Sequence, residues 1–90
     1  MSNYKIKKYS YDKAKELGVE IKTSTNKNKK IDVFKGDKKV ASIGDINYLD
    51  YPSYLEKDKK LADDRRRLYK ARHGKSIKDS AGYYASNILW

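Results

Sequence analysis

Residues 53–74 read SYLEKDKKLADDRRRLYKARHG, and this stretch decides the architecture because it predicts one long helix. Ser53 followed by Glu56 is the S-x-x-E spacing of a capping box, in which the hydroxyl takes the Glu56 amide and the carboxylate returns to the Ser53 amide. Pro52 cannot extend a helix backwards and biases Tyr51 to an extended conformation. Gly74 suits a left-handed C-terminal cap, and the cations before it face the negative end of the dipole. A helix of roughly 20 residues would run about 30 Å. Glu56–Lys60 and Asp63–Arg67 are favourable i,i+4 pairs on its surface.

Two apolar rows recur along this helix, Tyr54, Leu61, Leu68 and Leu55, Ala62, Tyr69, and a step of about 100° per residue places both on one side. Asp58, Arg65 and Arg72 share the spacing and project between the rows. A buried guanidinium must be paired or stacked. Arg65 and Arg72 are therefore expected to turn inward, onto carboxylates or tyrosine rings of the same chain or onto an anionic partner that completes the site. Arg66, Arg67, Lys70 and His73 are expected to project outward, with a different role.

Working outward, composition bounds the partners. The chain has 90 residues, enough for a single domain spanning 1–90. Its formal charge of +10 favours polyanions, and the bland alternative is a lysine-coated protein whose charge has no partner. Aliphatic residues are few, so the nine tyrosines, Phe34 and Trp90 supply most of the apolar bulk. Without cysteine, neither disulfides nor thiolate metal sites hold the fold. No apolar run approaches the roughly 18 residues of a membrane span, and the lysine-rich N-terminus has no signal-peptide core, so neither a membrane nor secretion is expected.

The remaining elements follow from local pattern. Residues 4–8 alternate weakly, as an edge strand or an ordered arm. SYDKAKELG, residues 10–18, predicts a short helix capped by Ser10 and ended by Gly18. Residues 19–23, 31–34 and 39–43 predict three strands, with Gly36-Asp37 as the turn chemistry between the last two. A two- or a three-residue loop fits there. The longer one puts Ile31, Val33, Ala41 and Ile43 on one face and is preferred. Residues 80–90, SAGYYASNILW, form an apolar ending whose aromatic density implies docking, on the apolar face of the long helix near Arg65 and Arg72. Tyr54, Tyr69, Tyr84 and Trp90 are read as core. The fold class is α+β: a short helix, a three-stranded antiparallel meander, a long basic helix and a short aromatic C-terminal helix.

Residues 65–78 carry seven lysines and arginines and no acid. As a nucleic-acid surface, Arg66, Arg67, Lys70, His73, Lys75 and Lys78 would meet phosphates, arginine by its fork and lysine as a point charge. The competing reading is a solvated helix end that suits the dipole. A second cluster, Lys27, Lys29 and Lys30 with Lys22, Lys35, Lys38 and Lys39, offers positioning on the strands or protects their edges from aggregation. Gly74-Lys75-Ser76 is not a phosphate loop, since the first glycine of that motif would fall at Tyr69 and the run follows a helix. Glu20-Ile21-Lys22 with Asp12 matches the E-x-K fragment of metal-dependent nucleases, but that tripeptide is common by chance. No metal, cofactor or catalytic residue is assigned.

The combination of IDVFKGDKKVASIGD (31–45), DYPSY (50–54), RRRLYKARH (65–73) and GYYASNILW (82–90) resembles small uncharacterised basic proteins of giant nucleocytoplasmic DNA viruses of algae and protists. It covers nearly the whole chain from Tyr9 onward. Its most specific parts are the Arg-Arg-x-Leu-Tyr-x-x-Arg-His run and the Gly-Tyr-Tyr-Ala…Ile-Leu-Trp ending. The resemblance implies a viral origin and a place in the virion or the infected cell, in a cytoplasmic virus factory or the nucleus. It carries no activity to transfer. Charge and pattern together predict a non-enzymatic protein that binds DNA through phosphates with little sequence specificity. The alternative is a structural or minor virion protein that binds acidic protein surfaces in a capsid or larger assembly.

Overall fold

The structure, a computed structural model, describes residues 2–73, 77, 78 and 80–90. In chain order it runs α1 (Lys8–Leu17), β1 (Glu20–Thr23), β2 (Lys29–Lys35), β3 (Lys38–Asp45), α2 (Tyr51–Leu55), α3 (Lys59–His73) and α4 (Ala81–Ile88). The strands form an antiparallel sheet in the order β1-β2-β3, giving the α+β arrangement predicted from the sequence.

Alternation builds the sheet. Ile21, Val33 and Ala41 form one cross-strand row, and Thr23, Ile31 and Ile43 the next, so one face is apolar. The β2–β3 turn is shorter than preferred: Lys35 pairs with Lys38 and Phe34 with Lys39, leaving Gly36-Asp37 as a two-residue loop. A register shift at Val33/Phe34 then brings Val33 opposite Ala41. Val40 is the extra residue, a bulge that reconciles the tight turn with the apolar register.

Helices α1 and α4 cover the apolar face, with Ala14, Tyr84, Ile88 and Leu89 buried against Ile31 and Val33. α1 ends in a Schellman pair at Gly18, whose φ is 74°: the Gly18 amide donates to the Lys15 carbonyl and the Val19 amide to that of Ala14. Its start differs from the expected Ser10 cap. The helix begins at Lys8, and the Ser10 hydroxyl lies buried between helices, donating to the Ile88 carbonyl at 2.9 Å. The next two carbonyls are met as well, Leu89 by the Tyr51 amide at 2.9 Å and Trp90 by the Tyr9 hydroxyl at 3.3 Å. Helix-end carbonyls lack intrahelical partners, and these contacts supply them. The aromatic ending thus docks through α4 mainly on α1 and β3, while Trp90 meets the expected apolar row of the long helix at Tyr54 and Tyr69.

The long helix is broken. Asp50, not Ser53, caps α2, its carboxylate accepting the Ser53 amide at 3.0 Å, and Pro52 sits inside the first turn where its missing N–H costs no bond. The chain leaves the helix at residues 56–58 and restarts as α3, with the Asp58 carboxylate accepting the Lys60 amide at 2.9 Å. Glu56 therefore pairs with Lys7 rather than Lys60, and Asp63 with Lys59 rather than Arg67. Leu61 and Leu68 are left exposed, and Ala62 is the buried residue of α3. The expected Gly74 cap lies outside the described residues.

Residues 2–7 are an arm and not a strand, tied down by the Ser2 amide on the Ser24 carbonyl and by the Thr23 hydroxyl on that of Tyr4. Near it Asp32, 1% exposed, points away from Ile31 and Val33. Burial works to raise its pKa, but the Ser42 and Ser24 hydroxyls, the Thr25 amide and the Lys39 charge bring it from 3.8 down to about 2. A carboxyl with a depressed folded pKa stabilises fully above its unfolded value. That stability, on the order of 2 kcal/mol, is lost as pH falls from about 4 toward 2. Urea denaturation across this window should show the loss, and Asp32→Asn should flatten it.

Gly44 closes the sheet at a φ of 79°. A β-carbon there would stand 2.7 Å from Leu89 Cδ1 and 2.9 Å from Lys30 Cδ. Gly44→Ala is expected to cost about 2–3 kcal/mol, from the left-handed conformation and the displaced Leu89 together. Thermal melting should register this as a drop of roughly 10 °C or more.

Candidate functional site

Helix α3 stands off from the sheet, and the space between it, the β3–α2 loop and the aromatic ending is a cleft of about 930 Å³. From α3 come Arg65, Leu68, Tyr69, Arg72 and His73; the loop adds Tyr48 and Leu49, and the ending adds Trp90. Tyr69 lies flat on Trp90, with ring centroids 4.5 Å apart and planes 10° apart. His73 extends that stack at 4.1 Å from Tyr69, and Tyr54 meets Trp90 tilted at 6.2 Å. Burial pushes the Tyr69 hydroxyl pKa up, so the ring stays neutral beside the arginines. Tyr84 lies apart from the cleft, buried under the sheet.

The rim is apolar and open. Tyr48 is 71% exposed, and Leu49 and Leu68 are exposed beside it. Among the described residues, half of the six exposed large apolar side chains therefore gather on one concavity. Single exposed apolar residues are ordinary; a cluster around a cleft is not. Sequence reasoning passed over Tyr48 and Leu49, which lie in a stretch that reads only as a lead into the long helix.

Lys30 and Asp50 lie at the base of the cleft, and here the sequence assignment is corrected. Lys30 was expected on the phosphate surface, yet it is 4% exposed with its Nζ 2.9 Å from the Asp50 carboxylate. The same carboxylate accepts the Tyr4 hydroxyl at 2.6 Å, and Lys30 sits 5.2 Å from the Tyr4 ring centroid. Burial opposes the Asp50 charge, but the Tyr4 hydroxyl and then the Lys30 charge hold its pKa below the usual carboxylate value. The Tyr4 hydroxyl is pushed far up by burial and by its bond to Asp50.

The arginines exchange the orientations expected of them. Arg66, expected outward, is half-buried with its guanidinium 3.6 Å over the Tyr51 ring and a bond of 3.3 Å to the Tyr9 hydroxyl. Its Nε is buried without a hydrogen-bond partner. Tyr51 is in turn fixed by its hydroxyl on Asp63 at 2.9 Å. Arg66 therefore fastens α3 to α1 and α2, and its position does not suit a phosphate contact. Arg65 and Arg72, expected inward, are exposed and line the cleft, Arg65 at 5.8 Å from the Tyr54 ring.

The other assigned cations divide. Arg67 and His73 are exposed on α3, and Lys27 and Lys78 are exposed in loops. Lys29 is half-buried on β2. Lys70 Nζ donates to the Ser86 carbonyl and hydroxyl, both at 3.1 Å, and tethers α3 to α4. Burial, with Arg66 and Lys13 nearby, lowers its pKa. Lys75 lies outside the described residues.

Three acids near the cleft are engaged, Asp63 by Lys59 and Tyr51, Asp50 by Lys30 and Glu56 by Lys7, while Asp45, which also lines the cleft, accepts the Asn47 amide at 2.9 Å. Among the described residues Arg65, Arg67 and Arg72 have no ion-pair partner within 4 Å. Asp12, half of the nuclease pattern, bonds Lys8 at 2.9 Å, and among the described residues no three His, Cys, Asp or Glu side chains gather. No described helix is long and apolar enough to cross a membrane. No protein-family model, curated protein or solved structure matches this chain.

Proposed function

We propose that this chain is a non-enzymatic viral protein that binds nucleic acid, DNA first, through phosphate contacts with little sequence preference. The observation that carries this reading is the set of exposed guanidinium groups on α3, Arg65, Arg67 and Arg72, without a carboxylate partner among the described residues. A chain of net charge +10 holds such cations apart from its own acids at a cost in self-repulsion, and a polyanion relieves it. Arginine forks supply the bidentate geometry that phosphate oxygens accept. The viral setting, in a virion or a virus factory, rests on the sequence resemblance alone.

Salt dependence tests the proposal. Each phosphate neutralised on duplex DNA contributes about −0.9 to the slope of log affinity against log salt. Three arginines with adjoining lysines predict a slope of about −3 or steeper, read by anisotropy of a labelled duplex. A slope near zero overturns the proposal and leaves an acidic protein surface as the partner to test.

A further inference from the structure

The cleft has more than charge. A phosphate surface needs only cations, yet here Arg65 and Arg72 flank a concavity paved by the Tyr69–Trp90 stack and edged by Tyr48 and Tyr54. Its volume of about 930 Å³ lies within the range of roughly 300–1,000 Å³ found for small-ligand sites. In a duplex the π-faces are already covered by neighbouring bases. A strand with unpaired bases presents both a planar ring and a flanking phosphate, which are the two chemistries the cleft offers side by side.

We infer that the cleft receives an unpaired base of a single strand, stacked on the open ring of Tyr48 and packed against the flank of the Tyr69–Trp90 pair, while Arg65 and Arg72 hold the adjoining phosphates. This rests on the nucleic-acid reading above and specifies the form of the nucleic acid. An acidic peptide satisfies the arginines but leaves the rings exposed, and an apolar peptide covers the rings but strands two guanidinium groups. Stacking accepts any base, so the site adds affinity without sequence preference. Tyr48 is the most exposed of the cleft's large apolar side chains and makes no side-chain hydrogen bond or ring contact among the described residues, so its exposure is free to serve a ligand.

Trp90 is the sole tryptophan, so its emission reports directly on the cleft. Single strands of about 12 nucleotides, oligo-dT and oligo-U, are titrated against a duplex of equal length at one salt concentration. The expected result is quenching of Trp90 and tighter binding by a single strand than by the duplex, with the dT and U arms separating DNA from RNA. Tyr48→Ala should weaken single-strand binding roughly 5- to 150-fold and leave duplex binding unchanged, while Tyr48→Phe keeps both. Equal affinities, unquenched Trp90 and a silent Tyr48→Ala overturn the inference and leave the phosphate reading standing. Loss of salt-sensitive binding to all three probes removes both.

Discussion

Asp50→Ala is expected to destabilise the protein by about 3–5 kcal/mol, the usual consequence of removing one partner of a buried ion pair. The wild-type carboxylate serves three donors from separate parts of the chain. These are the Lys30 ammonium on β2, the Tyr4 hydroxyl on the N-terminal arm and the Ser53 amide at the start of α2. Deleting it leaves a lysine that is 4% exposed without a counter-ion and a helix without its cap. A domain of this length has only about 5–15 kcal/mol in total, so the loss takes roughly a third to a half of a mid-range value and should lower the melting temperature by more than about 10 °C. Asp50→Asn should fall in between, since asparagine still caps a helix but supplies no negative charge. Lys30→Met in the Asp50→Ala background should recover part of the loss, because the stranded charge is then gone. Urea denaturation followed by Trp90 emission measures all three variants. A shift below about 1 kcal/mol for Asp50→Ala means that water or another acceptor reaches the site, and the buried pair is then not what joins arm, sheet and α2.

That pair also marks the limit of what local pattern reveals. The strands are legible because alternation of Ile31, Val33, Ala41 and Ile43 has only one sensible burial. The bulge at Val40 is not, because the short turn and the apolar register each look sufficient alone. The break at residues 56–58 has a signal that competes with a stronger-looking one. Ser53 and Glu56 spell a capping box, but Asp50 and Asp58 are caps too, and an ionised carboxylate, which Tyr4 and Lys30 help Asp50 to remain, is a stronger acceptor than a hydroxyl. Once the helix restarts, docking of Tyr51 against α3 sets which stripe faces inward. Ala62 and Arg66, four residues apart, become that stripe, and Leu61 and Leu68 rotate out. The roles of Arg65, Arg66 and Arg72 therefore follow from tertiary placement. Their residue types were visible, and their phase was not.

Arg65, Arg67 and Arg72 replaced together by glutamine should lower duplex affinity by about 10²- to 10³-fold at 0.1 M salt. The size follows from counterion release. At that concentration each phosphate contact contributes roughly 0.9 log units, so three contribute just under three. The slope of log affinity against log salt should become shallower by nearly the same amount, about 2.7. All three side chains are exposed, and the ring contact of Arg65 with Tyr54 is worth about 0.5–1 kcal/mol at such a site, so the fold should survive. Net charge falls from +10 to +7, and charge alone reduces attraction to DNA. A second triple variant, Lys5, Lys15 and Lys38 to glutamine, makes the same change at exposed positions away from α3. Phosphate contacts on α3, with Arg65 and Arg72 on the cleft side and Arg67 on another side of the helix, predict a large loss for the arginine set and a loss under about tenfold for the lysine set, with little change in slope. Equal losses would mean that affinity follows total charge, and that α3 is one cationic surface among several.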